Sequence, residues 1–271
     1  MKHFLRPLLA VLLVTPRFLA LADGPADNMA DKVRRVPGPG VPVPEAIRAE
    51  LTAGVAALGA DLDKLRTELA ESPARSRLLP DVLIFHKAVD WALRYDEFFQ
   101  TNQFKAARAL LQEGMARAAA LRAGRAPWLD TTGAVVRGYV SRLDGSVQPY
   151  GLVLPAGASR NRQGAVPMRL DFWFHGRGET LSELEFLTQR NNPKNLGEFA
   201  PTNALVLHPY GRYCNGSRFA GETDAFEALE AVRADFAGDD RRLVVRGFSL
   251  RSEEHTSEFQ SPYVISYAVF C

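Results

Sequence analysis

Residues 241–250 read RRLVVRGFSL, and this stretch decides the fold. Its short apolar run, Leu243 to Val245, is typical of a buried strand, so we expect a strand over residues 241–249. The run leads directly into Gly247-Phe248-Ser249. Because glycine accepts tight backbone geometry, the pattern indicates a sharp turn at the end of a strand, with a serine on it.

Strands and helices alternate upstream of this stretch. Two strand-like runs flank Asp144-Gly145, a dipeptide typical of a hairpin turn. Further strands are predicted over MRLDFWFHG (168–176) and ALVLHPYG (204–211), and helices over 180–190 and 222–236. This order is typical of an α/β fold with a largely parallel sheet, which we assign to residues 133–250.

A helical module is predicted before the sheet, over residues 45–126. Apolar residues recur there every three or four positions, which indicates amphipathic helices at 45–69, 80–99 and 104–122. Residues 23–44 contain PGPGVPVP and predict a linker or extended arm. The expected fold class is therefore α/β, with the helical module first and an incomplete sheet domain second.

The first 22 residues have the pattern of a secretory signal peptide. Lys2 and Arg6 precede an apolar run at 8–14, and Ala20-Leu21-Ala22 forms an A-x-A cleavage site. We therefore expect export to the periplasm or the extracellular space. The chain has a net charge of +2, which gives no electrostatic reason for binding nucleic acid or, after signal removal, a membrane.

The turn at Ser249 resembles the nucleophile elbow, G-x-S-x-G, of the α/β-hydrolases. Phe172-Trp-Phe-His-Gly-Arg-Gly178, two strands upstream, resembles the oxyanion loop of the same family. Together with HPYGRY at 208–213, these motifs make residues 133–250 similar to the first half of a prolyl oligopeptidase-like or esterase-like catalytic domain. The resemblance implies a serine hydrolase that acts on esters or peptides.

Site residues follow from that resemblance. Ser249 is the implied nucleophile, the backbone N–H groups of Arg177 and Leu250 the implied oxyanion hole, and Gly176 and Gly247 set the loop geometry. His175 is interpreted as a loop-shaping residue, since the base of this family follows the nucleophile in the chain.

Other residues carry weaker expectations. Tyr210 and Arg212 follow a strand end, where they contact substrate or pack the loop. Asp224 is interpreted as a helix N-cap. The sequence has no metal-ligand cluster and no phosphate-binding loop, so we expect no metal and no cofactor. It says nothing of oligomeric state.

Residues 251–271 need a different explanation. RSEEHTSEFQS resembles the in-frame translation of a common short-read sequencing adapter, and ISYAVFC resembles the far end of that adapter. We therefore interpret the segment as an artefact and set it aside. The second glycine of the elbow falls at position 251, where this segment begins. Since the acid and base of the triad also belong after Ser249, we expect a truncated, inactive fragment. The alternative is a non-catalytic binding protein with a silent hydrolase-like domain.

Overall fold

The computed structural model describes residues 29, 37–176, 178–197, 199–213 and 220–247, together with the backbone of 265–270. Helices α1 to α4 precede the sheet, as the spacing of apolar residues predicts. They span Glu45–Leu69 (α1), Pro73–Ser76 (α2), Pro80–Arg94 (α3) and Gln103–Arg122 (α4). The apolar stripe of α1 is buried at Leu51, Val55, Leu58, Leu62, Leu65 and Leu69. This burial supplies the driving force for packing α1 against α3 and α4.

The strands form one mixed sheet in the order β1-β2-β4-β3-β5-β6. Helix α5 lies between β3 and β4 in the chain, and α6 between β4 and β5. The bounds are Gly133–Val140 (β1), Val147–Leu154 (β2), Met168–Phe174 (β3), Glu183–Arg190 (α5), Ala204–Pro209 (β4), Ala220–Asp235 (α6), Gly238–Gly247 (β5) and Ile265–Phe270 (β6). Strands β4, β3 and β5 are parallel, whereas β1, β2 and β6 pair antiparallel to their neighbours. The protein is thus of the α/β class with helices at its N-terminal side.

Two boundaries differ from the sequence prediction. Helix α3 ends at Arg94 and not near residue 99, because Asp96 takes a left-handed conformation (φ 55°) that stops the helix. Strand β5 begins at Gly238, three residues early, and strand β6 lies within the segment that we interpret as adapter.

The helical module and the sheet share one core. The described residues from 37 to 247 belong to one compact unit. The free edge of β1 meets the helices directly: Asp81 of α3 accepts the Gly138 N–H at 2.9 Å, and Arg117 of α4 donates to the Val136 carbonyl at 2.9 Å. Side chains of the module therefore form hydrogen bonds with backbone groups of an edge strand that would otherwise stay unpaired.

A buried ion network reinforces this junction. Arg137 on β1 donates to Asp81 of α3 at 2.9 Å and to Asp235 of α6 at 2.7 Å. All three side chains are at most 3% exposed. Arg77 adds a further hydrogen bond to Asp235. Burial alone would oppose ionisation of Asp235, but the two arginines lower its pKa below the ordinary value.

Over the ranges that the structure describes, no helix is both long and apolar enough to cross a bilayer.

Candidate active site

The two loops that the sequence connects with chemistry leave the sheet side by side. Strands β3 and β5 are parallel neighbours, and Phe174 at the end of β3 pairs with Gly247 at the end of β5. Adjacent strands lie about 4.8 Å apart. The His-Gly loop, which we define as His175–Ser182, therefore begins next to the chain that continues from Gly247 toward Ser249.

Three predicted site residues, Ser249, Leu250 and Arg177, lie outside the described residues. The two glycines predicted to shape the loops are described. Gly247 is the buried last residue of β5, and Gly176 is half-buried in the His-Gly loop.

His175 joins two loops. Its Nε2 lies 3.2 Å from the Tyr210 carbonyl oxygen, and its Nδ1 lies 2.9 Å from the carbonyl oxygen of Gly176. Its ring also contacts the ring of Phe186, with 6.2 Å between centroids. These contacts are those of a residue that shapes a loop, which is the role predicted for it.

Tyr210–Tyr213, here named the β4 loop, follows β4. Tyr210 is 4% exposed, and its hydroxyl donates to the Leu181 carbonyl at 3.2 Å. Arg212 donates to Asp224 through Nε (2.7 Å) and Nη2 (3.1 Å), and to Asp144 and Ser141. These contacts favour loop packing over substrate contact, the two alternatives that the sequence left open. Substrate contact by Tyr210 or Arg212 stays a prediction.

The interpretation of Asp224 as an N-cap is wrong. Helix α6 begins at Ala220, so Asp224 lies inside the helix, and its side chain pairs with Arg212. The sequence gives no signal for this pairing, because the two residues meet only through the path of the chain between β4 and α6.

A cleft of about 280 Å³ opens beside the His-Gly loop. One wall comes from the end of β3 and the loop, and the other from the end of α5 and the segment that follows it. Amide, guanidinium, indole and imidazole groups line it, so it offers both polar and aromatic surface to a small molecule. The lining residues are Trp173, His175, Gly176, Gln189, Arg190, Asn195 and Gly197.

Close to this cleft, His208 on β4 is a buried histidine that sequence reasoning did not single out. It is 1% exposed, and neither ring nitrogen has a hydrogen-bond partner among the described residues. Burial, assisted by nearby Arg190 and His175, lowers the pKa of His208 well below 6.5. His208 is therefore neutral at physiological pH.

The described residues contain no candidate metal-binding site. No group of three or more His, Cys, Asp or Glu side chains among the described residues is arranged to hold a metal ion.

No family model matches the sequence, and no curated protein matches it. A solved structure titled "Crystal Structure of a Thermostable Esterase" is 16% identical, with a TM-score of 0.30. The likeness covers 46% of this chain and 38% of that chain, so the chain spans well under half the length of that esterase. The α/β class of the protein follows from its own strand order and helices.

Proposed function

We propose that this chain is the first half of an exported serine hydrolase that cleaves ester or peptide bonds. Ser249 acts as the nucleophile, and the backbone N–H groups of Arg177 and Leu250 bind the oxyanion. The triad Asp and His are encoded beyond Leu250 in the intact gene, and the chain as given is inactive. Residues 1–22 direct export, and residues 251–271 are translated adapter.

One observation carries the proposal: the register of Phe174 with Gly247. An oxyanion hole of the α/β-hydrolase kind takes one N–H from the residue after the nucleophile and one from the loop between β3 and the next helix. Here the His-Gly loop joins β3 to α5, and the Gly-x-Ser turn follows the adjacent parallel strand. The two segments that would supply the N–H groups therefore begin at residues that pair with each other in the sheet.

The exposure of β5 supports the proposal that more of the sheet is encoded. A parallel strand inside a sheet is covered on both faces. All six residues of β4 are buried, whereas in β5 only Gly247 is buried. The apolar residues Leu243, Val244 and Val245 are only partly covered although β5 lies between β3 and β6, as expected for a strand whose faces lack the helices that cover a complete sheet.

A non-catalytic binding protein is the second candidate. The half-buried, ion-paired Arg212 and the buried Tyr210 favour it to the extent that their side chains are engaged in contacts within the protein. In that case the Gly-x-Ser turn is an ordinary strand end, and the helical module carries the binding function.

The test uses the complete gene, expressed without its signal segment and assayed on short acyl esters and on peptides. Ser249→Ala is expected to lower kcat by at least about 10⁴-fold, because removing the nucleophile of a triad removes most of its rate enhancement. Ser159→Ala is the matched control. The Ser159 carbonyl accepts the Ala237 N–H just before β5, at the end of that strand opposite Gly247. Because this is a backbone contact, the substitution of the side chain leaves it in place.

Equal activity of Ser249→Ala and Ser159→Ala would sink the proposed nucleophile. Absence of activity from the complete protein on every ester and peptide, with the protein folded, would favour the binding protein.

A further inference from the structure

The β4 loop contains an unusual run of left-handed backbone. Gly211, Arg212 and Tyr213 have φ values of 66°, 53° and 76°. Glycine adopts this region freely, but residues with a Cβ do so at a cost in free energy. Two consecutive non-glycine residues there need other contacts that hold them in place.

Arg212 supplies the contacts on one side. Its guanidinium forms a fork with the carboxylate of Asp224, which is 2% exposed, and it also donates to Asp144 and to the Ser141 hydroxyl. The hydrogen bonds from Arg212 and Ser146 lower the pKa of Asp144 below its ordinary value. The β4 loop is thereby fixed to the turn between β1 and β2 and to α6.

The other side of the β4 loop holds the His-Gly loop. The Tyr213 hydroxyl donates to the Glu179 carbonyl at 2.6 Å, and the Tyr210 hydroxyl donates to the Leu181 carbonyl at 3.2 Å. The Tyr210 carbonyl lies 3.2 Å from His175 Nε2. Three contacts, spread from one end of the His-Gly loop to the other, therefore come from a single short segment.

We propose that Arg212 and Tyr213 are positioning residues. The hydrogen bonds of Arg212 stabilise the left-handed turn, and this turn places the Tyr213 hydroxyl where it binds the Glu179 carbonyl and positions the His-Gly loop. The functional consequence rests on the proposed function, since the His-Gly loop carries one N–H of the proposed oxyanion hole. An oxyanion hole works only when its donors are already in place before charge develops.

The experiment measures amide hydrogen exchange in peptides that cover residues 175–182, on the full 271-residue chain, beside a thermal melt. Tyr213→Phe removes one hydroxyl and leaves the ring. We expect it to speed exchange in this loop by about threefold to tenfold, with the melting temperature nearly unchanged, because local opening and global unfolding are separate events. Arg212→Lys keeps the charge but loses the fork, and we expect faster exchange in both loops.

Arg142→Ala is the matched control. Arg142 lies in the same turn as Asp144 and pairs with Glu227 and Glu230 of α6, and exchange in residues 175–182 should stay within about twofold of the parent chain. The inference is overturned if Tyr213→Phe exchanges like Arg142→Ala in that segment. If Arg212→Lys does not fold, Tyr213→Phe still decides.

Exchange needs no catalytic activity, so the two proposals fail separately. Faster exchange in Tyr213→Phe of the 271-residue chain, together with an inactive complete protein, would keep the positioning role and discard the hydrolase. An active complete protein, together with unchanged exchange in Tyr213→Phe of the 271-residue chain, would do the reverse.

Discussion

Replacement of Arg137 by methionine tests whether the helical module and the sheet are one folding unit. Arg137 is 3% exposed and joins Asp81 of α3 to Asp235 of α6. Methionine keeps the apolar stem but leaves two buried carboxylates without their shared cation. Breaking a buried ion pair by removing one partner costs about 3–5 kcal/mol.

The hydrogen bonds that Asp81 and Asp235 keep in Arg137→Met place the loss of folding free energy toward the lower end of that range. Asp81 keeps the Trp128 indole N–H at 2.8 Å and the Gly138 N–H at 2.9 Å, and Asp235 keeps Arg77 at 2.6 Å. We therefore expect a loss of about 3 kcal/mol, a large share of the 5–15 kcal/mol that stabilises a typical protein.

Urea unfolding followed by circular dichroism measures this loss as a shift in midpoint. With a slope of about 3 kcal/mol per molar urea, Arg137→Met should lower the midpoint by about 1 M. Arg66→Met is the control: Arg66 is 53% exposed and pairs with the exposed Asp63, so its loss should cost less than about 1 kcal/mol. Replacing the whole network, as Asp81→Asn, Arg137→Met and Asp235→Asn together, should recover part of the loss. If Arg137→Met and Arg66→Met unfold at the same urea concentration, the network does not join the two parts.

Three further predictions concern stability. Burial raises the pKa of Glu97 from 4.5 to about 7. The folded protein therefore loses stability as pH rises from 4.5 to about 7, because the unfolded state releases this proton first. Glu97→Gln should flatten this part of a plot of urea midpoint against pH. Burial lowers the pKa of His208 well below 6.5, so stability falls as pH drops below 6.5, and His208→Leu should remove that fall; an unchanged acid limb would contradict it. A Cβ at Gly138 would lie 2.4 Å from the Pro80 carbonyl oxygen, so Gly138→Ala should lower the melting temperature by several degrees, whereas Gly157→Ala, with its nearest neighbour at 3.5 Å, should not.

Local patterns carried the prediction of the elements. The heptad-like spacing from Leu51 to Leu69 gave α1 its correct bounds, and Asp144-Gly145 marked the hairpin between β1 and β2. These signals work because helix and hairpin contacts join residues that are close in sequence.

Local sequence patterns do not predict contacts between residues that are far apart in the sequence. Asp81, Arg137 and Asp235 lie far apart in sequence and meet only after the sheet has formed, so nothing local marks them as partners. The merging of the helical module with the sheet core depends on the same contacts. Likewise, the position of Arg212 after a strand leaves substrate contact and loop packing open, and its ion pairs with Asp224 and Asp144 depend on how the β4 loop packs against α6 and the turn between β1 and β2.

The roles of Ser249, Arg177 and Leu250 stay predictions, and only the strand ends next to them are described. The two motifs pointed to loops at the ends of separate strands, and the pairing of Phe174 with Gly247 brings those ends together. The sequence did not indicate the cleft beside the His-Gly loop or the neutral His208, because both depend on how α5 packs against the sheet.

The most direct test is to sequence the source DNA across the codon of Leu250 with long reads. We expect the frame to continue into glycine at position 251, and then through about a hundred residues that include an Asp and a His in that order. A genome that itself encodes RSEEHTSEFQS after Leu250 and stops at Cys271 would contradict both the adapter interpretation and the serine hydrolase.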